Sequence, residues 1–509
     1  MMTVYLVTCT LEKGVIALLP MVLFPMLKLA PASKLPTQYF PDGAITFIGY
    51  SVLVAALDMN QVPKHLALQL VKRFVGNTPK SLLAGFMVTT WLLSAFLPAY
   101  VVLPVMHSIA IQVIAAIRQI ATIVRSESIL AATAEIEQPE DVIEYLLDSG
   151  RHHESQCVIK LKYLKKVERA IFLAITICSA LGDAAFPIGS EEIFMAKAVL
   201  ETSSIASIET LKSSLFLTWS CLGLPLSLFL SAVAWTGLVG FYIGFGSTPL
   251  EPNEIDTVPS TLAYIKCYLM SPLGPGHYMI VVNFTIFILL LFCRIFVSLG
   301  PDLFIGWQVI SPMFVSESTA AIFMTVLLAL TPGTMHKKKA DDSRGKRRFG
   351  LGTVQKPNMV VDIENDLMRG FPLGSLLTLG SVTAIIFVAQ RIGLIATLTN
   401  LIHSITVDSN SIVISSMTIL GLSFFSIFLP KQLVLLAMPI VLGIEKSRDM
   451  IPFCLGGPTA IAISMTTNLL YMKSWNTHCK FFSRVRNFQF FLLTTNFHPF
   501  SGLCICIGV

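Results

Sequence analysis

Long apolar stretches, spread from one end to the other, set the terms on which this chain can fold. They run at about 2–30, 44–58, 82–117, 170–200, 213–246, 278–300, 315–334, 372–398, 411–445 and 451–472. About twenty such residues cross the hydrocarbon layer of a bilayer as a helix. Distributed in this way they leave no room for a large soluble domain. Only 13% of the 509 residues are charged, about half the share of a soluble globular protein. In lipid every backbone polar group must be satisfied internally, and helices do this segment by segment. The chain therefore reads as an all-α polytopic membrane protein whose first partner is the lipid bilayer. No basic n-region with a small-residue cleavage site opens it, so a cleavable signal peptide is not expected. The ten cysteines are scattered and show neither metal spacing nor a disulfide framework, apart from a weak Cys504-Ile505-Cys506.

The polar connections suggest an orientation. The segment from His336 to Arg348 carries seven Lys/Arg, and residues 118–169 carry eight among nine acids. Counting Lys and Arg alone, as topology does, places both in the cytoplasm. The formal charge of +6 is accounted for by such loops, and no nucleic-acid partner is expected. No nucleophile–base pair, metal cluster or phosphate loop stands on them, so no enzyme and no bound cofactor are expected. His107, Arg294 and the Asn-Phe-Thr triplet at Asn283 read as parts of apolar segments.

Two stretches, 82–117 and 411–445, exceed one crossing, and each has a proline and polar residues near its middle. Such helices break or re-enter, and irregular backbone at membrane depth survives only inside protein or against a cavity. There is also a trace of duplication. Phe47-Ile48-Gly49-Tyr50 is followed, 55 residues after Gly49, by Leu103-Pro104-Val105. Thr378-Leu379-Gly380-Ser381 is followed, 59 residues after Gly380, by Met438-Pro439-Ile440. The same order in both halves predicts an inverted-repeat transporter.

Several segments carry a resemblance to a known family. They are Met2 to Thr8, Ala17-Leu18-Leu19-Pro20-Met21-Val22-Leu23-Phe24-Pro25, Phe47-Ile48-Gly49, Lys64-His65-Leu66-Ala67-Leu68 and Leu83-Ala84-Gly85-Phe86-Met87. Lys165 to Ala170, Leu273-Gly274-Pro275, Gly306-Trp307, Thr319-Ala320-Ala321-Ile322-Phe323 and Pro372-Leu373-Gly374 with Leu379-Gly380 follow in order. Over residues 2–472 the chain resembles the divalent anion:sodium symporters, the sodium-coupled di- and tricarboxylate and sulfate cotransporters. The resemblance implies two inverted-topology repeats, each with a re-entrant hairpin tipped by Ser-Asn-Thr and a broken helix with a small-polar loop. It implies a small divalent anion as substrate, sodium as coupling ion and a homodimer in the plasma membrane. It divides the chain into a first half at 1–334, a basic cytoplasmic loop at 335–371, a second repeat at 372–472 and a divergent tail at 473–509.

The chain departs from that family where the chemistry should lie. The first tip, around Leu97 and Pro98, is about four residues short of the pattern, and the second falls at Leu429, Pro430 and Lys431; neither keeps Ser-Asn-Thr. The first broken-helix loop reads Leu181 to Glu192, where Gly182, Gly189 and Ser190 fit the pattern. The second reads Gly456-Gly457-Pro458-Thr459 and then Thr466, Thr467 and Asn468. These residues are the candidate substrate and ion ligands, and the sodium site itself stays unassigned. Lys431 has two readings: its ammonium replaces a bound sodium, or the tip has drifted and the lysine reaches water. Asp183, Glu191 and Glu192 read as solvated loop acids, with cation binding as the other account. The family has a segment before the one that opens here and one after residue 472, so the second repeat is expected to be incomplete. Two readings follow: sodium-coupled symport of dicarboxylates or related divalent anions by alternating access, or a transport-inactive homologue acting as a membrane scaffold or partner, or an incomplete gene product.

Overall fold

A computed structural model describes residues 12–76, 78–134, 162–189, 191–202, 209–246, 275–293, 297–298, 304–305, 307, 315–330, 371–405, 410–428, 431–448, 450 and 455–466. Their regular structure is helical apart from a short antiparallel ladder of β1 (Val297–Ser298) with β2 (Phe304–Ile305). The first half contains α1 (Lys13–Met26), α2 (Leu35–Tyr39), α3 (Asp42–Met59), α4 (Val62–Phe74), α5 (Pro79–Ser94) and α6 (Ala99–Ala134). It continues through α7 (162–183), α8 (Glu191–Thr202), α9 (Glu209–Leu238), α10 (Pro275–Phe292) and α11 (Glu317–Leu330). The second half contains α12 (Leu373–Ile392), α13 (Leu394–Ile405), α14 (Ser411–Phe428), α15 (Lys431–Leu435), α16 (Met438–Ser447) and α17 (Gly456–Thr466).

Local chemistry explains the boundaries. Thr78 and Ser81 form a capping box around Pro79 at the start of α5, satisfying amides that no earlier turn can reach. Gly393 ends α12 in the left-handed conformation at φ 79°, which glycine adopts without a Cβ penalty. The stretch 82–117 breaks between α5 and α6, because Leu97 precedes Pro98 and a residue before proline is disfavoured in the helical region. The stretch 411–445 is interrupted by a turn at 436–437 between α15 and α16, and 170–200 breaks between α7 and α8. The acidic connection assigned to 118–169 is helical at both ends, through Ala134 in α6 and from 162 in α7. Residues 135–161, the basic loop from 335 to 370 and the tail from 473 lie outside the described residues.

The two halves pack against each other, and a similar close helix pairing occurs within the first. Helix α11, which precedes the second half, lies along α3 of the first. Their starts coincide, with the Ser316 hydroxyl donating to Asp42 Oδ1 at 2.8 Å and Ser318 donating to the same oxygen. Further along, Gly49 meets Ala321 so closely that a Cβ on the glycine would lie 2.7 Å from the alanine's. Between the halves, α1 and α2, which precede α3, lie along α12. Gly380 abuts Tyr39, whose ring would be 2.6 Å from an added Cβ, and the Thr383 hydroxyl donates to Gln38 O at 2.5 Å. Gly49 and Gly380, the two glycines of the duplication pattern, thus serve the same purpose of letting another helix approach closely. Helix α8 packs on α3 and also on α12, α15, α16 and α17.

Among the described residues four helices are long and apolar enough to cross a membrane: Asp42–Met59, Ala99–Gln119, Thr218–Ile243 and Leu373–Ile392. Large apolar side chains also cover outward faces, including Met279, Val282 and Leu289 on α10 and Met417, Phe424 and Phe425 on α14. Some buried hydroxyls are satisfied within their own helices, as where Thr90 donates to Phe86 O at 2.7 Å and Thr176 to Phe172 O at 2.9 Å. A span without water needs such back-bonding. The fold is that of an α-helical integral membrane protein.

Candidate substrate and ion site

The first tip closes α5 and turns through residues 95–98 into α6. Leu97 and Pro98 are buried there, not presented to an aqueous cavity. The turn is held by Phe96 N–H and Leu97 N–H donating to Leu93 O at 3.2 and 2.9 Å, and by Pro98 O accepting from Val101 N–H at 3.0 Å. Against it lies the loop between α7 and α8, whose residues 184–189 are all buried. Two predicted ligands make this contact. A Cβ on Gly182 would stand 2.6 Å from Trp91 O and 2.9 Å from Ser94 Cβ. A Cβ on Gly189 would stand 2.9 Å from Ser94 O and 3.1 Å from Asp183 Oδ1. Both glycines are therefore required by backbone approach.

Polar and aromatic contacts fasten tip to loop. Ser94 and Ser179 share a hydroxyl–hydroxyl bond of 3.0 Å. The Tyr50 hydroxyl of α3 faces two carbonyls, Phe96 O of the tip at 3.1 Å and Gly189 O of the loop at 3.4 Å. Trp219 Nε1 donates to Ala184 O at 3.1 Å. Gly223 sits where a Cβ would come 2.5 Å from the same oxygen. Phe96 stacks on Phe186 with ring centroids 5.2 Å apart, and Phe186 meets Phe292 edge-on at 5.3 Å. Ala95, Ala185 and Phe186 form a small apolar cluster in which Trp91, Phe96, Leu224 and Phe292 also pack.

This arrangement offers hard oxygen donors for a monovalent cation in the carbonyls of Ser94, Phe96 and Gly189, the hydroxyls of Ser94 and Ser179, and the Asp183 carboxylate. It offers an anion little, since side-chain cations and amides are missing from the tip and loop residues just described. Asp183 corrects the sequence reading: it is 5% exposed, a buried acid at the end of α7 and not a solvated one. Glu192 is half-buried at the start of α8. No group of three or more His, Cys, Asp or Glu side chains suited to a multivalent metal occurs among the described residues.

The second half corrects another expectation. Gly456-Gly457-Pro458-Thr459 is not a loop but the first turn of α17. Its start is capped by Glu445 of α16, whose Oε2 accepts from Leu455 N–H at 3.2 Å and Gly456 N–H at 3.0 Å. The carboxylate takes up orphan amides at the positive helix end, so the Gly-Gly-Pro sequence enters a helix. Thr466 closes α17, and Lys431 opens α15. Ser190, Leu429, Pro430, Thr467 and Asn468 lie outside the described residues. The structure thus brings Gly182, Gly189, Leu97 and Pro98 together, and links them through α8 to the elements of the second tip. Sequence reasoning missed Tyr50 and Phe186. Tyr50 lay beside the duplicated Phe-Ile-Gly, and Phe186 lay inside the quoted loop.

Comparison with known proteins follows the same lines. No family model matches the chain. The chain is 23% identical over 352 residues to the Na(+)/citrate cotransporter of Rattus norvegicus, covering 66% of this chain and 59% of the relative. It is 24% identical over 361 residues to solute carrier family 13 member 1 of Mus musculus, covering 65% and 60%. It is 26% identical over 241 residues to the sodium-dependent high-affinity dicarboxylate transporter 3 of Caenorhabditis elegans, covering 47% and 37%. The matched region spans about three-fifths of the length of the first two relatives. With the order of motifs along the chain, these matches show that it is similar, at low identity, to sodium-coupled citrate and dicarboxylate transporters.

Proposed function

We propose that the chain is a secondary membrane transporter that carries small divalent anions of the dicarboxylate or citrate class by alternating access, with sodium as coupling ion. The observation that carries this reading is the buried junction of the first tip with loop 184–189 through Gly182, Gly189 and Tyr50. A helix broken at each of two meeting points is how a transporter exposes backbone carbonyls and amides at membrane depth. The order of helices supports two inverted repeats: α3, α4 and α5 hold 18, 13 and 16 residues, and α12, α13 and α14 hold 20, 12 and 18. In this reading α5–α6 and α14–α15 are the re-entrant hairpins. Gly182, Gly189 and Ser190 line one half-site, and Lys431, Thr466, Thr467 and Asn468 line the other. The chain then works as a plasma-membrane homodimer with loop 335–371 in the cytoplasm. The names of the relatives, cotransporters of sodium with citrate or dicarboxylate, support the substrate class.

A second reading is favoured by one feature of the same junction. The apolar packing of Phe96, Leu97, Phe186 and Phe292 stands where a carrier for solvated anions needs hydroxyls and amides, and suits a transport-inactive homologue acting as a scaffold or partner. Uptake of radiolabelled succinate, citrate and sulfate, with and without sodium, in cells with verified surface delivery separates the two. Sodium-dependent uptake is the expected result. Uptake indifferent to sodium assigns Lys431 the role of the missing cation. No uptake despite surface delivery rejects the carrier in favour of the scaffold.

A further inference from the structure

Away from the tip, Lys197 of α8 and Glu317 at the start of α11 form an ion pair, and both residues are buried, 4% and 2% exposed. A buried ion pair must offset the desolvation of both charges, so it is costly to keep unless its position matters. One helix end favours this pair: the Glu317 carboxylate, in the first turn of α11, complements the positive helix start. The surroundings add to the tie. Ser316 and Ser318, which flank Glu317, both donate to Asp42 at the start of α3. The segment that grips Lys197 is therefore itself fixed to α3.

Helix α8 is the element for which such a tie has consequences. It emerges directly from the loop that meets the first tip, and Lys197 lies about 9 Å along its axis from its first residue. Its flanks pack on α3 and also on α12, α15, α16 and α17. Any movement of the loop relative to α3 and α11 must shift α8, and so must separate or carry the ion pair. We infer that Lys197 and Glu317 are positioning residues: an ionic lock that holds α8, and with it loop 184–189, on the α3–α11 pair. The inference rests on the reading of that loop as part of the transport site, and its test does not require transport.

The readout is a cysteine replacing Ala185, a fully buried loop residue, labelled in permeabilised membranes by a hydrophilic maleimide. Labelling is counted against the same chain without the added cysteine. Lys197→Met and Glu317→Gln each strand a charge and can impair folding, whereas removing both charges together is tolerated. The double neutral variant is therefore the decisive one, with surface delivery as its folding control. It is expected to label about tenfold faster than the parent, within the usual range of coupling between sites. Exchanging the charges, Lys197→Glu with Glu317→Lys, is expected to return labelling towards the parent rate. A double neutral variant that labels like the parent overturns the lock. So does an exchanged pair that labels as fast as the neutral one, because packing and not charge then sets the position. A parent that takes up no anion leaves both outcomes readable, so failure of the carrier reading and failure of the lock are distinct results.

Discussion

At the scale of single residues, the junction of tip and loop depends on atoms that are missing. Gly182 is tolerated only without a side chain, because a Cβ would press on Trp91 O at 2.6 Å, a backbone atom that cannot swing aside. Gly237 of α9 is the natural contrast, with nothing within 4 Å of an added Cβ. Gly182→Ala is expected to cost about 1–3 kcal/mol through overpacking. Gly237→Ala is expected to be neutral or to stabilise by up to about 1 kcal/mol through helix propensity. Thermal melting of the two purified variants in the same detergent measures the contrast. Equal melting temperatures would show that α7 does not press on α5 as described. The sequence marked Gly182 and Gly189 as small-polar loop residues of a ligand site; the structure puts Gly182 in the last turn of α7 and Gly189 in the loop that follows. Their immediate physical reason, close backbone approach, needs the partner helix to be seen. Tyr50 was illegible for the same cause: its contact with Gly189 spans 139 positions, and nothing local announces it.

At the scale of elements, prolines made the breaks legible and a buried acid made one of them misleading. Leu97-Pro98 reads as a break and is one, since the residue before proline avoids the helical region and proline lacks an amide. Gly456-Gly457-Pro458 reads as a loop by the same residue preferences, yet it opens α17 because Glu445 caps the amides from another helix. Proline within the first turn forgoes an amide that has no intrahelical partner, so the sequence is compatible with both outcomes and a tertiary contact decides. Glu445→Gln retains an acceptor but loses the charge. It is expected to weaken the cap by about 1 kcal/mol, and Glu445→Ala by more. The checks are the melting temperature and protease resistance of the 445–466 segment in detergent. Equal resistance in parent and alanine variant would mean that α17 holds its start without the cap. Asp183 was misread because charge alone suggests water; its burial comes from elements that converge on the loop from both sides.

At the scale of the whole molecule, the duplication trace acquires a mechanical meaning. Helices of the first half lie on the second, α1 and α2 packing on α12, while α11 packs on α3 within the first half. Packing of the first kind makes neither half independent, and it predicts a specific covalent link. Gly14 of α1 faces Gly374 of α12, where a Cβ added at Gly14 would lie 3.4 Å from Gly374 Cα. Disulfide formation asks for Cβ atoms roughly 3.5–4.5 Å apart, so Gly14→Cys with Gly374→Cys should cross-link under mild oxidation. Placing a protease site in the loop at 335–371 turns this into a statement about architecture. After cleavage, the two fragments should migrate as one species without reductant and as two with it. Each single-cysteine variant should give two species throughout, which separates this bond from pairing with the native cysteines. Dilution of the membranes in detergent before oxidation should leave the yield unchanged if the contact is within one chain. A yield that falls with dilution would place α1 on the α12 of a neighbouring copy, and no cross-link at all would remove the close packing of α1 on α12.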